Sequence, residues 1–122
     1  MMYNEDVRHV LVLFSDACGR CQVRDYLRDQ SKKVRGHAGW LLQVLEEQGH
    51  ELDRPAAGHL GGGIYELRVI VERQQHRILF FYDRWFIVAT NAFLKKTDRV
   101  PEAEIAKAEK ARLEWESQGG SA

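Results

Sequence analysis

Between Ile64 and Leu94 three runs rich in β-branched and aromatic residues, IYELRVIVER, HRILFFY and WFIVATNAF, are separated only by short breaks at Gln74-Gln75 and Asp83-Arg84. This composition suits pleated, half-buried strands. Breaks this short allow only antiparallel hairpins, because a parallel connection needs a crossover of a dozen or more residues. A three-stranded meander is therefore the predicted centre of the fold, and the rest of the chain must cover it.

Arg8 to Phe14 reads as an opening strand, followed by Ser15 and Asp16, both good helix N-cap types. Helical spacing of Val23, Tyr26 and Leu27, then of Trp40, Leu41, Val44 and Leu45, predicts helices over about 17–30 and 32–48. Gly49 suits a helix C-cap, and His50 to Gly63, with Pro55, Gly58 and a Gly triplet, reads as a loop. Pro101 opens a last helix that runs to about Glu116, and the tail from residue 117 is expected to be mobile. The 122 residues leave room for a single domain spanning 1–122. The expected class is α+β: strand, two helices, three antiparallel strands and a C-terminal helix, with the helices on one face of a small twisted, mainly antiparallel sheet.

With 44% hydrophobic and 30% charged residues the composition is that of a folded globular protein. The longest strongly apolar run, Val10 to Phe14, is far below the roughly 18–20 residues of a membrane span. The first residues, MMYNEDVRH, carry acid where a signal peptide needs positive charge, so a cytoplasmic location without membrane contact is expected. Net charge is zero, but it is unevenly spread: Arg68, Arg73, Arg77, Arg84, Lys95, Lys96 and Arg99 stand against Glu66, Glu72, Asp83 and Asp98, a local excess of +3. The excess reads either as a solvated face or as a cationic site.

Cys18-Gly-Arg-Cys21 follows the first strand and precedes a helix, which would suit a thioredoxin-like dithiol. That fold also needs a proline-led strand facing the thiols, and the only candidate, Pro55, is followed by AAGHLGGG. A metal site is not expected, since His37, His50, His59 and His76 show no ligand-pair spacing.

Turns at Gln74-Gln75 and Asp83-Arg84 would set Arg73 opposite His76 and Tyr82 opposite Trp85. Arg68 then faces Phe81, Glu72 faces Arg77 and Arg77 faces Thr90, so both arginines fall on one face, with Lys96 on the same parity if the strand continues. The bland alternative is a rim salt bridge between Arg77 and Glu72. Glu66 shares the parity of Arg68 and reads mainly as an ion-pair partner that orients an arginine.

The stretch GGGIYELRVIVERQQHRILFFYDRWFIVATNAFLKKTDRVPEAEIAKAEK resembles the phage Gp49-like branch of the RelE/HigB toxin superfamily. It carries that branch's Gly-Gly-aliphatic-Tyr-Glu-Leu-Arg strand, its Arg-Ile-Leu strand and its Phe-x-Lys-Lys-Thr segment ahead of a Pro-Glu-Ile helix. The resemblance extends more loosely over residues 8 to 116. It implies a type II toxin that cuts messenger RNA on the ribosome and is held by a cognate, helix-turn-helix type antitoxin, alone or in a higher oligomer. Residue by residue it implies catalytic roles for Arg68, Arg77, Lys95 and Lys96, with no cofactor. The chain departs from the pattern in lacking lysines before the Gly pair and in having neither Tyr nor His over 97–122. Its CGRCQVRDYL places thiols where most relatives have none.

The chemistry of RNA cleavage suits such a set, because arginines aimed at a phosphate stabilise the charge that develops when a ribose 2′-OH attacks it. In a crowd of cations one lysine of the pair could serve as base. His59, Tyr65, Phe93 and Arg99 are candidate RNA contacts, the aromatic ones by stacking a base, although Tyr65, Phe93 and Tyr82 also read as half-buried core. His76 reads as a surface histidine, and Trp40 and Trp85 as core or partner interface. Two other functions remain open: a toxin of the same fold that binds a protein such as DNA gyrase, as the related ParE branch does, and a dithiol oxidoreductase.

Overall fold

The structure, a computed structural model, describes residues 8–119. The strands are β1 (Val10–Leu13), β2 (Ala57–Gly61), β3 (Ile64–Val71), β4 (Gln74–Asp83) and β5 (Phe86–Leu94), and the helices α1 (Gln22–Arg28), α2 (Lys32–Gln48) and α3 (Glu102–Ser117). The class is α+β, as expected. The sheet order is β1-β5-β4-β3-β2, antiparallel throughout except that β1 runs parallel to β5. Of the tail expected from residue 117, Ser117 closes α3 and 120–122 lie outside the described residues.

The β3–β4 hairpin differs from expectation in its turn. The loop is Glu72-Arg73, both at positive φ (51° and 71°), and Gln74 already pairs with Val71. This is the mirror-image two-residue turn that matches strand twist, here without the Asn or Gly that usually announces it. Arg68 consequently faces Arg77 rather than Phe81, Glu72 faces no strand residue, and Arg77 faces Phe93 rather than Thr90. The second turn is also shifted: Tyr82 pairs with Ile87 instead of Trp85, and a bulge lies at Leu79/Phe80. The β3–β4 pairing moved by four positions, an even number, so both arginines still share a face.

Residues expected to form a loop supply an edge strand. Ala57, Gly58 and His59 pair with Leu67, Glu66 and Tyr65, and a bulge separates His59 from Gly61. Ala57 and Gly58 carry little strand propensity, and tertiary pairing sets the conformation.

The helices cover both faces, not one. Alternation in β3 and β4 sends Leu67, Val69, Ile78 and Phe80 toward Val34, Ala38, Leu41 and Leu45 of α2 and Val23 of α1. It sends Ile64, Leu79 and Phe81 toward Ala108, Ala111 and Trp115 of α3. Each large side chain so buried contributes about 1.5–3 kcal/mol. The small residues of α3 let it lie close to the sheet, and the Trp115 indole donates to Asp83 Oδ2 at 2.7 Å. Ser31 caps α2 by accepting from Val34 N, whereas α1 starts only at Gln22. Ahead of it the Asp16 carboxylate accepts from the backbone of Cys18 and Arg20, and Gly19 (φ 82°) turns the chain, so Asp16 closes a loop rather than capping a helix.

His76 is not on the surface. It is 2% exposed, and its Nδ1 shares a 2.7 Å hydrogen bond with the Tyr26 hydroxyl while Nε2 has no hydrogen-bond partner among the described residues. Trp40 and Trp85, by contrast, are exposed rather than core. Cys18 is exposed and Cys21 buried, both free, and they sit by β1 at the far edge of the sheet from β2 and the Pro55 that precedes it.

Candidate active site

On the α3 face, Arg68 and Arg77 stand directly opposite each other on β3 and β4. Two like charges in such a pair repel, and the side chain that reconciles them is Glu66. Its Oε1 accepts from Arg77 Nε at 2.9 Å and its Oε2 from Arg68 Nη2 at 3.0 Å. Glu66 and Arg77 are 7% and 6% exposed, so this is a buried, charge-assisted bridge. The Arg77 partner is thus Glu66, while Glu72 meets Lys33 in an exposed pair.

Some of the other donors are also held. Arg77 Nη1 donates to His76 O and Nη2 to Gln75 Oε1, and Arg68 Nη1 donates to Pro55 O. A guanidinium has five N–H donors, so each arginine keeps some free for an anion. Gly58, paired with Glu66 on β2, makes room for this: a Cβ there would stand 2.6 Å from Arg68 Nη2.

These side chains form one wall of an open groove of about 440 Å³, closed by Lys95, Asp98 and Arg99 and by apolar contacts from Leu60, Val100 and Ile105. β5 ends at Leu94, but Lys95 N still donates to Gln75 O at 2.7 Å, which continues the ladder by one residue and sets Lys95 in the groove. Thr97 Oγ1 donates to Arg99 O and tightens the turn that follows. The charged lining residues leave the groove with two more positive than negative side chains. Among the described residues no histidine or tyrosine lines it.

Of the residues singled out from sequence, Arg68, Arg77, Lys95 and Arg99 come together here. Lys96 is exposed and does not line the groove, because Arg77 faces Phe93 rather than Thr90, an odd shift that puts Lys95 and not Lys96 on the arginine face. Phe93 is buried in the core under α3. His59 and Tyr65 lie around the edge of β2 on the opposite face, their rings 4.6 Å apart. Asp98 and Gly58 were not anticipated. Asp98 lies in a turn, and the role of Gly58 exists only through the β2 pairing.

On that opposite face His50 stacks on Tyr82 with centroids 3.7 Å apart. Desolvation and then the neighbouring His9 hold His50 below the usual histidine value, and burial, with Tyr65 adding to it, pushes the Tyr82 hydroxyl up to about 12. In the core, burial and then the Arg77 charge lower His76, and burial raises Tyr26. Among the described residues no group of three or more His, Cys, Asp or Glu side chains could hold a metal ion.

A small α+β fold of RelE-like element order, with a cationic groove on one face of its sheet, is the class that fold and site define. The chain belongs to the phage-derived Gp49-like protein family (DUF891), whose family model matches residues 25–113, and this is the family of the RelE/HigB-like toxins. At the level of the family it is the toxin of a toxin–antitoxin pair, with an antitoxin for partner. A search of curated proteins finds no match. No helix among the described residues is long and apolar enough to cross a membrane.

Proposed function

We propose that the chain is a ribosome-dependent endoribonuclease that cuts messenger RNA and so arrests translation. The observation that carries this reading is the opposed arginine pair locked by the buried Glu66 carboxylate at the base of a cationic groove. Such donors are already oriented before a phosphate arrives, which is the condition under which they stabilise a transition state more than a ground state.

The nucleophile is the substrate's own ribose 2′-oxygen. It bonds to the adjacent phosphorus as the bond to the next 5′-oxygen breaks, leaving a 2′,3′-cyclic phosphate and a 5′-hydroxyl. Charge gathers on the non-bridging oxygens, where the free donors of Arg68 and Arg77 act. Among the described residues Lys95 is the only amine lining the groove, and we assign it uptake of the 2′-OH proton and its return to the departing 5′-oxygen; Asp98 lines the same groove. Both Glu66 oxygens are engaged, so its part is positioning. Arg99 and the flanking Lys96 serve the RNA backbone.

Cleavage of ribosome-bound message by purified variants tests this. Arg77→Ala or Arg68→Ala should lower the rate by about 10² or more, and Lys95→Ala should change the pH profile as well as its height. Arg73→Ala and Arg84→Ala, at the turns, should cost far less. Equal losses at all five positions would mean a diffuse electrostatic surface. Growth arrest that antitoxin relieves but that leaves messages intact would instead indicate a protein target such as DNA gyrase.

A further inference from the structure

Across β2 from the groove, on the α2 face of the sheet, lies a second concavity of about 200 Å³. Its walls are rings: Tyr82 stacked on His50, Tyr65 at 5.2 Å and 84° to Tyr82, and His59 tilted over Tyr65. Asp53 stands at its rim, and no hydrogen bond or ion pair engages its carboxylate among the described residues. No lysine or arginine lines it. We propose that this concavity is a nucleobase subsite, selective for bases that carry an exocyclic amino group, and that it receives a base flanking the cut site. The proposal rests on the RNA-cleaving reading above for the source of the base.

The lining chemistry points to a flat, neutral ligand. A phosphate would meet a carboxylate with no cation to offset it, whereas a base would find aromatic faces to stack on, the usual way an unstacked base is held. His50, held below the usual histidine value, is a neutral ring at pH 7, and the Tyr82 hydroxyl stays protonated as a donor. The volume suits one ring system and falls short of the 300 Å³ or so of larger small-molecule sites. An aspartate accepts from the amino groups of adenine, cytosine or guanine and finds no such donor on uracil.

The position links the concavity to the groove. Gly58 lines the concavity, and a Cβ on it would meet the Arg68 guanidinium on the other side, so the two sites are separated by the width of one edge strand. β2 has no neighbour on its outer side among the described residues. A single strand whose phosphate sits on the arginines can round that edge and set a neighbouring base against Tyr65.

The test uses the full chain and two readouts. Imidazole proton resonances of His50 and His59 are followed during titration with adenosine, cytidine and uridine. Binding of a short oligoribonucleotide is then compared with that of the same oligomer carrying an abasic site at each position in turn. The expected results are saturable shifts at both histidines with adenosine and cytidine and a weaker response to uridine. The preference should be lost in Asp53→Asn, and Tyr65→Leu should weaken oligomer binding by about tenfold. One abasic position should bind as weakly to the wild type as the intact oligomer binds to Tyr65→Leu. Nucleoside shifts in a wild-type chain that cuts no message would uphold the subsite while the cleavage reading fails. Absence of shifts with every nucleoside, or equal binding of all abasic oligomers, would overturn the proposal.

Discussion

Glu66→Leu removes the one carboxylate that both arginines share. Arg68 keeps a quarter of its side chain in water and can turn outward, so its share of the loss is that of a partly exposed pair, at most about 1 kcal/mol. Arg77 cannot turn: its side chain is 7% exposed and lies beneath strand and groove. Breaking a buried pair from one side costs about 3–5 kcal/mol, because the remaining charge is left without a counter-ion. For a domain of this length that corresponds to a fall in Tm of about 10 °C or more. The double variant Glu66→Leu with Arg77→Met replaces the pair by apolar groups of similar size, and such replacements are often neutral. It should therefore be at least about 2 kcal/mol more stable than Glu66→Leu alone. Urea denaturation at pH 7 of wild type, both single variants and the double variant measures the coupling. RNA cleavage should be lost in the double variant despite its recovered stability, since the anion donors are gone. If the two single losses add to the double one within about 0.5 kcal/mol, the charges are solvated and the account of a preorganised arginine pair is wrong.

Gly58→Val places a side chain where the Arg68 guanidinium lies, and cleavage should fall about 10- to 100-fold with Tm almost unchanged; an unaltered rate would remove Arg68 from the site. Because His76 is held below its usual value, the unfolded chain takes up the proton first, so stability present above about pH 6.5 is lost as pH falls toward the folded value. Thermal melts from pH 7.5 to 5 should show this slope, reduced in His76→Leu, with the remainder following His50. Cys18→Ser should leave stability unchanged, whereas Cys21→Ser buries a hydroxyl and should cost about 1–3 kcal/mol, both with the cleavage rate retained. A large rate loss in folded Cys18→Ser would instead return chemistry to the thiols.

Much of the architecture was legible because β3, β4, β5 and α2 carry unbroken apolar periodicity. The hairpin turn was not: Glu72-Arg73 adopts positive φ without a glycine or asparagine to mark it, while the polar Gln74-Gln75 beside it resembles a break. Sharing of a face by Arg68 and Arg77 survived the misplaced turn only because the shift was even. Which lysine of the pair enters the groove depended on the β4–β5 register: the bulge at Leu79/Phe80 and the shifted turn set Phe93 rather than Thr90 opposite Arg77, an odd change that moved the face from Lys96 to Lys95. Glu66 could be read as an arginine's partner from its spacing on β3. His76 could not be placed, since a histidine opposite Val69 is buried by α1 and not by anything in its own strand. The β2 strand, and with it the role of Gly58, exists through pairing and has no local signal.

The parallel pairing of β1 with β5 has a consequence for synthesis. β1, residues 10–13, leaves the ribosome ahead of the other strands among the described residues and finds its hydrogen-bonding partner only in residues 86–89. Lys95, Asp98 and Arg99 follow later still, and α3, which covers the face that carries the groove, is last. A nascent or stalled chain ending before residue 95 can form the β3–β4 hairpin and its arginine pair, yet it has neither a closed sheet nor a groove. Late closure of so distant a contact is slow, because the loop entropy is paid before the contact forms. The groove is therefore assembled only once residues through α3 have been made, and fragments released earlier from its own translation lack it.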